Sequence, residues 1–419
     1  MEEYRTYTLE DLSIGKGNYG IAASAVPFDA SLHTYLRITD INDDGSLNKC
    51  GLMSVDEDDA DKYLLKPNDI VFARTGNSTG RSYFYDGSDG ELVYAGFLIK
   101  FSLDSAKVNP RILKYYTHSK PYYDWVQSFG TGSTRGNINA KTYGNMPITL
   151  PPRDIQDKIV DVLKSLDDKI EVNRRINDNL EQQAQTLFKS WFVDFDPFRD
   201  QPFVESELGM IPKGWRVVSL DEACTKITDG SHFSPKDNTC GTIPMLSVKD
   251  MHHNGFDYSS CKMIDEVEYL KMKKNDCIPL FNDILVAKDG SYLKEIFICK
   301  EEKKQAILSS IAIFRSNPKV IYPDLLLQLL RLPKIKKDVG DNYVSGSALP
   351  RIVLKDFKKF KFVVPPVDIQ ETTIDVYISI NAQIEKNETE SRRLAQLRDT
   401  LLPRLMSGEL RVNEIENAI

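Results

Sequence analysis

Two long stretches of the chain place apolar or small residues at alternating steps of four and three, the spacing of a coiled-coil helix face. One stretch follows Pro151-Pro152 and the other follows Pro365-Pro366, where proline is tolerated as a helix begins. Pro197 and Pro403 are expected to mark the far ends. The predicted seam residues are Leu163, Leu166, Ile170, Asn173, Leu180 and Leu187 in the first helix and Tyr377, Ile380, Ile384, Asn387, Leu394 and Leu401 in the second.

Both seams carry an asparagine at the same position, Asn173 in the first helix and Asn387 in the second. A buried seam asparagine lowers stability but fixes register and partner. The alternative is that both asparagines face solvent. Because two one-sided helices in one chain each need a partner for the apolar stripe, we expect them to pack against each other as an antiparallel pair.

The chain also contains an internal repeat. Asn68-Asp69-Ile70 recurs as Asn282-Asp283-Ile284, and Pro151-Pro152 with Ile155-Gln156 recurs as Pro365-Pro366 with Ile369-Gln370. Both pairs are 214 residues apart (282 − 68 and 365 − 151). This period is far longer than that of a solenoid repeat, so it indicates a tandem duplication of one domain plus one helix.

Outside the two helices, short β-branched and aromatic runs alternate with turn residues and helical stretches. We therefore predict an α+β fold in which two mixed α/β domains are joined by two long antiparallel coiled-coil helices, arranged as a pseudo-two-fold tandem repeat. The predicted segments are a domain at 1–150, a helix at 151–193, a Pro- and acid-rich linker at 194–213, a second domain at 214–364, and a helix with a C-terminal segment at 365–419.

Composition narrows the class of protein. With 41% hydrophobic and 27% charged residues, the 419-residue chain has a globular composition. No run of 18 apolar residues is present, and the six cysteines form no CxxC pair, so we expect a cytoplasmic protein with reduced thiols and no membrane partner. The formal net charge is −7, which argues against a chain that grips nucleic acid by itself.

No catalytic motif is legible. Gly15-Lys16-Gly17-Asn18-Tyr19-Gly20 fits GxGxxG but lacks the preceding strand and following helix of a dinucleotide site. The loop that begins at Asp40 starts like a calcium loop, but its twelfth position is Gly51 where a glutamate is required. The chain contains no HExxH, phosphate loop or GxSxG motif, so we predict no catalytic residue and no metal site.

Several motifs resemble one known family. They are Leu187-Phe188-Lys189-Ser190-Trp191-Phe192-Val193-Asp194-Phe195-Asp196-Pro197-Phe198, the repeated Pro-Pro…Ile-Gln motif, Ile211-Pro212-Lys213-Gly214-Trp215, and Leu401-Leu402-Pro403-Arg404-Leu405 with the five residues after it. In their order and duplication they resemble the specificity (S) subunits of type I restriction-modification systems. The resemblance implies a DNA-recognition subunit whose two domains are target recognition domains, each reading half of a split DNA sequence, with the helices as the spacer.

The resemblance also implies partners. These are double-stranded DNA, two methyltransferase (M) subunits docked on the helices, and restriction (R) subunits bound through the M subunits. It implies no enzymatic activity and no cofactor for this chain, because S-adenosylmethionine (SAM), ATP and Mg are expected on the partner subunits only. Two alternatives remain open: a non-catalytic coiled-coil scaffold that tethers proteins without reading DNA, and a self-sufficient DNA-modifying enzyme.

Candidate base contacts are polar residues on loops, because Arg, Lys, Asn, Ser and Thr supply most base-edge and backbone contacts. For any one of them, the alternative is a solvated turn residue. The candidates in the first domain are Arg74, Thr75, Asn77, Thr79, Arg81, Ser133 and Arg135, and those in the second are Ser231, His232, Lys288, Ser291, Ser347 and Arg351.

Overall fold

A computed structural model describes residues 4–49, 51–129, 137–235, 240–290, 292–300, 302–346 and 349–411. The chain divides into two units. Unit 1 comprises residues 1–171 and 390–419, and unit 2 comprises residues 172–389. Both units combine strands with helices, so the predicted α+β class is confirmed.

Unit 1 contains nine strands and three short helices among its described residues, together with one end of each long helix. The strands are β1 (Arg5–Thr8), β2 (Asn18–Tyr19), β3 (His33–Leu36), β4 (Met53–Val55), β5 (Asp69–Ala73), β6 (Ser82–Tyr85), β7 (Leu92–Tyr94), β8 (Leu98–Ser102) and β9 (Pro147–Leu150). The short helices are α1 (Pro110–Tyr116), α2 (Lys120–Gln127) and α3 (Ala140–Gly144), and the first long helix is α4 (Arg153–Phe192).

Unit 2 also combines strands, short helices and one end of each long helix. Its strands are β10 (Phe203–Ser206), β11 (Gly209–Pro212), β12 (Arg216–Ser219), β13 (Cys224–Asp229), β14 (Ile243–Leu246), β15 (Met251–His252), β16 (Gly255–Phe256), β17 (Lys262–Ile264), β18 (Ile284–Ala287), β19 (Ile296–Ile298), β20 (Ala306–Ile307), β21 (Ile311–Ser316), β22 (Val344–Ser345), β23 (Arg351–Ile352) and β24 (Lys361–Val364). Its helices are α5 (Leu220–Ala223), α6 (Glu266–Lys274), α7 (Pro323–Arg331), α8 (Pro333–Asn342), α9 (Leu354–Phe357) and the second long helix, α10 (Val367–Ser407).

The two units share one sheet topology, which confirms the tandem repeat. A four-stranded antiparallel sheet has the order β2-β8-β5-β6 in unit 1 and β13-β21-β18-β19 in unit 2. A three-stranded sheet has the order β4-β3-β7 in unit 1 and β17-β14-β20 in unit 2, with one parallel pair in each. Each unit also has a two-stranded sheet, β1-β9 or β12-β24, whose second strand directly precedes a long helix in the chain.

The repeated Asn-Asp-Ile motif starts the central strand of each four-stranded sheet. Asn68 and Asn282 adopt left-handed backbone conformations, with φ of 75° and 67°, which asparagine tolerates better than most residues. The aspartate that follows is buried and binds a basic residue of the neighbouring strand, Lys100 in unit 1 and Arg315 in unit 2. The motif therefore turns the chain into the sheet and fixes the register of its central strand.

The two long helices pack as an antiparallel pair within each unit. In unit 2 the Nδ2 atom of Asn173 donates to the main-chain oxygen of Asn387 at 3.3 Å, and Asn177 donates to that of Ile384 at 3.4 Å. In unit 1 Arg398 binds Asp167 at 2.9 Å. The buried predicted seam residues are Leu163, Asn173, Tyr377, Ile384 and Asn387, and the half-buried ones are Leu166, Ile170, Leu180, Leu187, Ile380, Leu394 and Leu401.

Two details differ from the sequence expectation. Pro403 lies inside α10, which continues to Ser407 and ends before Gly408, a residue with φ of 75°. The segment 194–213, expected to be a linker, contains a 3-10 turn (Asp196–Phe198) and the hairpin β10–β11. The prolines and acidic residues of this segment suggested a linker, but packing of its aromatic residues orders it, because Phe198 is buried with its ring 5.1 Å from that of Trp215.

Candidate DNA-recognition surfaces

In unit 1 the two loops that carry the candidate base contacts lie side by side. The first follows β5, and the second precedes α3. Thr75 forms a β-bridge with Asn137, and the main-chain N–H of Ile138 donates to the oxygen of Arg74 at 3.0 Å. The two loops therefore form one surface at the end of the central strand. The candidates Ser133 and Arg135 lie outside the described residues.

Unit 2 brings its own two loops together in the same way. Asp289 forms a β-bridge with Arg351, and the N–H of Ile352 donates to the oxygen of Lys288 at 3.0 Å. These contacts match those of unit 1 at the 214-residue offset, since 288 − 74 and 352 − 138 both equal 214. Ser291 and Ser347 lie outside the described residues. Each unit thus presents one equivalent two-loop surface.

The described candidates of unit 1 divide into exposed groups and groups that hold the loop. Asn77 is exposed, whereas Arg74 is half-buried, with its guanidinium over the ring of Tyr19, 5.1 Å from its centroid. Thr75 is half-buried, and the hydroxyl of Thr79 donates to the oxygen of residue 76 at 2.8 Å. Arg81 binds the carboxylate of residue 43 at 2.6 Å and the main-chain oxygen of residue 41 at 3.1 Å, so it supports the loop.

The candidates of unit 2 are less exposed than the sequence suggested. Lys288 is 4% exposed because its ammonium is drawn into an ion pair with Asp229 on the adjoining part of the sheet, where the described residues of unit 1 place no such carboxylate beside Arg74. Ser231 is also buried, and its hydroxyl donates to the main-chain oxygen of residue 233 at 2.8 Å. His232 and Arg351 are exposed. The side chain of His232 lies 3.3 Å from the carboxylate of Asp229, and that of Arg351 lies 2.9 Å from the carboxylate of residue 289.

Sequence reasoning missed the aromatic residues of these surfaces. Tyr19 and Phe97 in unit 1 are 42% and 58% exposed, and Phe233 in unit 2 is 64% exposed. Exposed aromatic rings beside polar loops suit contact with nucleotides, because bases stack on aromatic rings. Tyr19 lies within the GxGxxG match, and an alignment of the repeats at an offset of 210 (229 − 19) would have singled it out.

The last glycine of that motif has a packing role. A Cβ atom on Gly20 would lie 2.2 Å from the main-chain oxygen of Tyr94, and one on Gly230 would lie 2.3 Å from that of Ile307. Only glycine allows the chain to pass this close to the neighbouring strand. The glycine therefore positions the residue before it, Tyr19 in unit 1 and Asp229 in unit 2.

Two further observations concern the described part of the chain only. No group of three or more His, Cys, Asp and Glu side chains is arranged there to hold a metal ion. Within the same residues, no helix has the length and apolar character needed to cross a membrane.

Comparison with known proteins decides the family. The model of the type I restriction modification DNA specificity domain matches residues 1–182 and 212–396. The chain belongs to this family. As a type I specificity subunit it carries two such domains, which confirms the family expected from its motifs.

Sequence similarity to the relatives extends along most of the chain. It is 30% identical over 312 residues to the type I restriction enzyme MjaIX specificity subunit of Methanocaldococcus jannaschii, covering 72% of this chain and 69% of that protein. It is 24% identical to the HindI specificity subunit of Haemophilus influenzae, covering 98% and 100%. The solved S subunit from M. genitalium is 17% identical with a TM-score of 0.50, covering 97% and 96%, which supports the fold.

Proposed function

We propose that this specificity subunit reads a bipartite DNA target, with one half read by the two-loop surface of each unit. One observation carries the proposal: the two units share a scaffold but carry different side chains at the ends of the same strands. Arg74, Tyr19 and Phe97 in unit 1 correspond to Lys288, Asp229 and Ser310 in unit 2. A duplicated scaffold with dissimilar loop residues suits the reading of two dissimilar half-sites.

The net charge of the chain supports a partner subunit that supplies most of the contacts to the DNA backbone. Phosphate neutralisation supplies most non-specific affinity for duplex DNA, and a chain of net charge −7 supplies little of it. Equivalent lysines nevertheless stand exposed beside both surfaces, Lys141 on α3 and Lys355 on α9. We therefore infer that these lysines position the backbone locally, while partner subunits enclose the rest of the duplex.

The long helices offer a surface for those partners. Val172 and Ile176 lie one turn apart on α4 and are 47% and 41% exposed. An exposed apolar stripe on a helix suits a protein interface better than a DNA interface. We propose that two methyltransferase subunits dock on the helices and that restriction subunits bind through them.

The chemistry is proposed to reside on those partners, with SAM, ATP and Mg bound there and no catalysis by this chain. This assignment is tested by assaying the purified chain alone for methyl transfer from SAM and for ATP hydrolysis. We expect neither activity. Methyl transfer by the isolated chain would identify it instead as a self-sufficient modifying enzyme.

DNA reading is tested by co-expressing the chain with the methyltransferase subunits that assemble with it and mapping methylated adenines in the host genome. We expect one motif of two short specified sequences separated by a spacer of constant length. The control is the same methyltransferase expressed without this chain, which should leave the motif unmethylated. A complex that assembles but neither methylates nor footprints DNA would support the alternative of a scaffold.

A further inference from the structure

The sheet register places one pair of residues at the same point in both units. Tyr19 pairs with Ile99 on β8, and Asp229 pairs with Ala312 on β21. The residue after the central strand is fixed by an equivalent bond, since the N–H of Arg74 donates to residue 97 at 3.1 Å and that of Lys288 to residue 310 at 2.9 Å. The side chains of these two positions meet in each unit, as Arg74 with Tyr19 and as Lys288 with Asp229.

The pair in unit 1 presents hydrogen-bond donors. The hydroxyl of Tyr19 accepts from the N–H of Ala140 at 3.1 Å, which orients the ring beneath the guanidinium of Arg74. The Nε atom of Arg74 is buried and has no hydrogen-bond partner among the residues that the structure describes. The buried Nε is out of a base's reach, so the donors that remain available are the two terminal amino groups, and the preferred base partner of a guanidinium is guanine, through O6 and N7.

The pair in unit 2 presents acceptors. The ammonium of Lys288 is buried and bound to Asp229, so it is committed to that carboxylate. Asp229 keeps further lone pairs, and the side chain of His232 lies 3.3 Å from its other oxygen. A carboxylate in the major groove accepts from the amino group of cytosine. It fits adenine less well, because the adenine amino group adjoins the lone pair of N7.

We propose that this pair is a specificity-determining position of opposite hydrogen-bonding character in the two units. Arg74, held on Tyr19, donates to a guanine in one half-site. Asp229, oriented by Lys288, accepts from a cytosine in the other. The inference rests on the proposed function and adds to it the residues, including Tyr19 and Asp229, that set base preference at one position of each half.

The test uses the chain assembled with its methyltransferase subunits and measures the methylated motif in a host genome. Arg74→Ala is expected to lower discrimination for one guanine in a single half-site by about 5- to 150-fold, the loss of one bidentate contact. Asp229→Asn is expected to lower discrimination for one cytosine in the other half-site. In each case the unaltered half-site keeps its sequence.

Matched controls lie at the opposite end of the same sheets. Arg111 also stands over an aromatic ring, 5.6 Å from the centroid of Phe84, and Asp276 also binds a lysine, Lys226, at 2.7 Å. Arg111→Ala and Asp276→Asn should leave both half-site sequences as they are in the wild type. A control that relaxes the motif as strongly as its test variant would overturn the assignment.

Asp229→Asn leaves a buried ammonium without its carboxylate, so a second variant guards against misfolding. The double substitution Asp229→Tyr with Lys288→Arg transplants the unit 1 pair into unit 2, and it should replace the cytosine preference by a guanine preference. The proposal is overturned if both folded variants keep the wild-type motif, or if the wild-type motif lacks either base. Failure of the wild-type complex to recognise DNA would instead overturn the proposed function.

Discussion

The glutamine that closes the repeated Pro-Pro…Ile-Gln motif is expected to join each long helix to its domain, and replacing it tests that role. In unit 1 the Oε1 atom of Gln156 accepts from the N–H of Asn109 at 3.0 Å, and its Nε2 atom donates to the oxygen of Pro151 at 2.9 Å. In unit 2 Gln370 accepts from the N–H of Tyr322 at 3.1 Å. It also donates to two main-chain oxygens, those of residues 365 and 320, at 3.0 and 2.8 Å.

The magnitude follows from the groups that lose a partner. Both side chains are buried, with 3% of Gln156 and 0% of Gln370 exposed, so water does not take the place of the side-chain amide when it is removed. Each buried polar group left unsatisfied costs about 1–3 kcal/mol, and the hydrogen bonds to the main chain of residues 109, 320 and 322 are only partly buried, which favours the lower end for those groups. We therefore expect a loss of about 2 kcal/mol for Gln156→Ala and about 3 kcal/mol for Gln370→Ala.

Hydrogen exchange resolves the effect by unit, which global unfolding of a two-unit chain does not. The peptide containing Asn109 should exchange faster in Gln156→Ala, and the peptide containing Tyr322 should exchange faster in Gln370→Ala, each without change in the other unit. Gln182→Ala, at an exposed position of α4, is the control for loss of a helix glutamine. The reasoning is refuted if exchange is unchanged, or if Gln156→Ala opens its unit as much as Gln370→Ala opens the other.

Three further predictions concern the helices and the sheets. Asn387→Leu removes the 2.8 Å hydrogen bond to the buried side-chain oxygen of Asn177 and should destabilise unit 2 by about 1–3 kcal/mol, measured by hydrogen exchange of unit 2 peptides, whereas replacing both Asn177 and Asn387 by leucine should cost less. Burial favours a higher pKa for Asp167, but bound lysine and arginine side chains hold the pKa below its usual value. The stability this provides is present above about pH 4 and lost as pH falls through the lowered pKa, so Asp167→Asn should lower the melting temperature at pH 7 by an amount that shrinks as the pH falls below about 4. The exposed control Asp168→Asn should show no such pH-dependent loss. Gly230→Ala should speed hydrogen exchange of unit 2 peptides, because its Cβ would lie 2.3 Å from a main-chain oxygen of the neighbouring strand.

The long helices and the repeat could be predicted from the sequence because both are expressed in regular spacing. The seam positions of α4 and α10 follow a period set by helix geometry, and burial of Asn173 and Asn387 follows from that period. Pro403 misled the expectation of a helix end because its effect depends on whether the preceding turn can give up a hydrogen bond.

The candidate site could be predicted only as loops. Whether the cation after the central strand is free to contact DNA depends on the residue that the sheet register places beside it. That residue is Tyr19, 55 positions before Arg74 (74 − 19), in unit 1 and Asp229, 59 positions before Lys288 (288 − 229), in unit 2. The four-residue difference hides the equivalence from a search at one offset. The sequence also ranks Arg74 and Lys288 alike, although one lies over a ring and the other is buried in an ion pair.

The burial of Lys288 also bears on how two half-sites can diverge on a duplicated scaffold. Main-chain bonds join the two loops of each surface, such as that from Ile138 to Arg74 and that from Ile352 to Lys288, and these bonds do not depend on which side chain follows the central strand. The side-chain pair can therefore change from a guanidinium over a ring to an ammonium on a carboxylate while the loops keep their places. Base preference can then diverge at this position at little cost in stability, provided that both members of the pair change together.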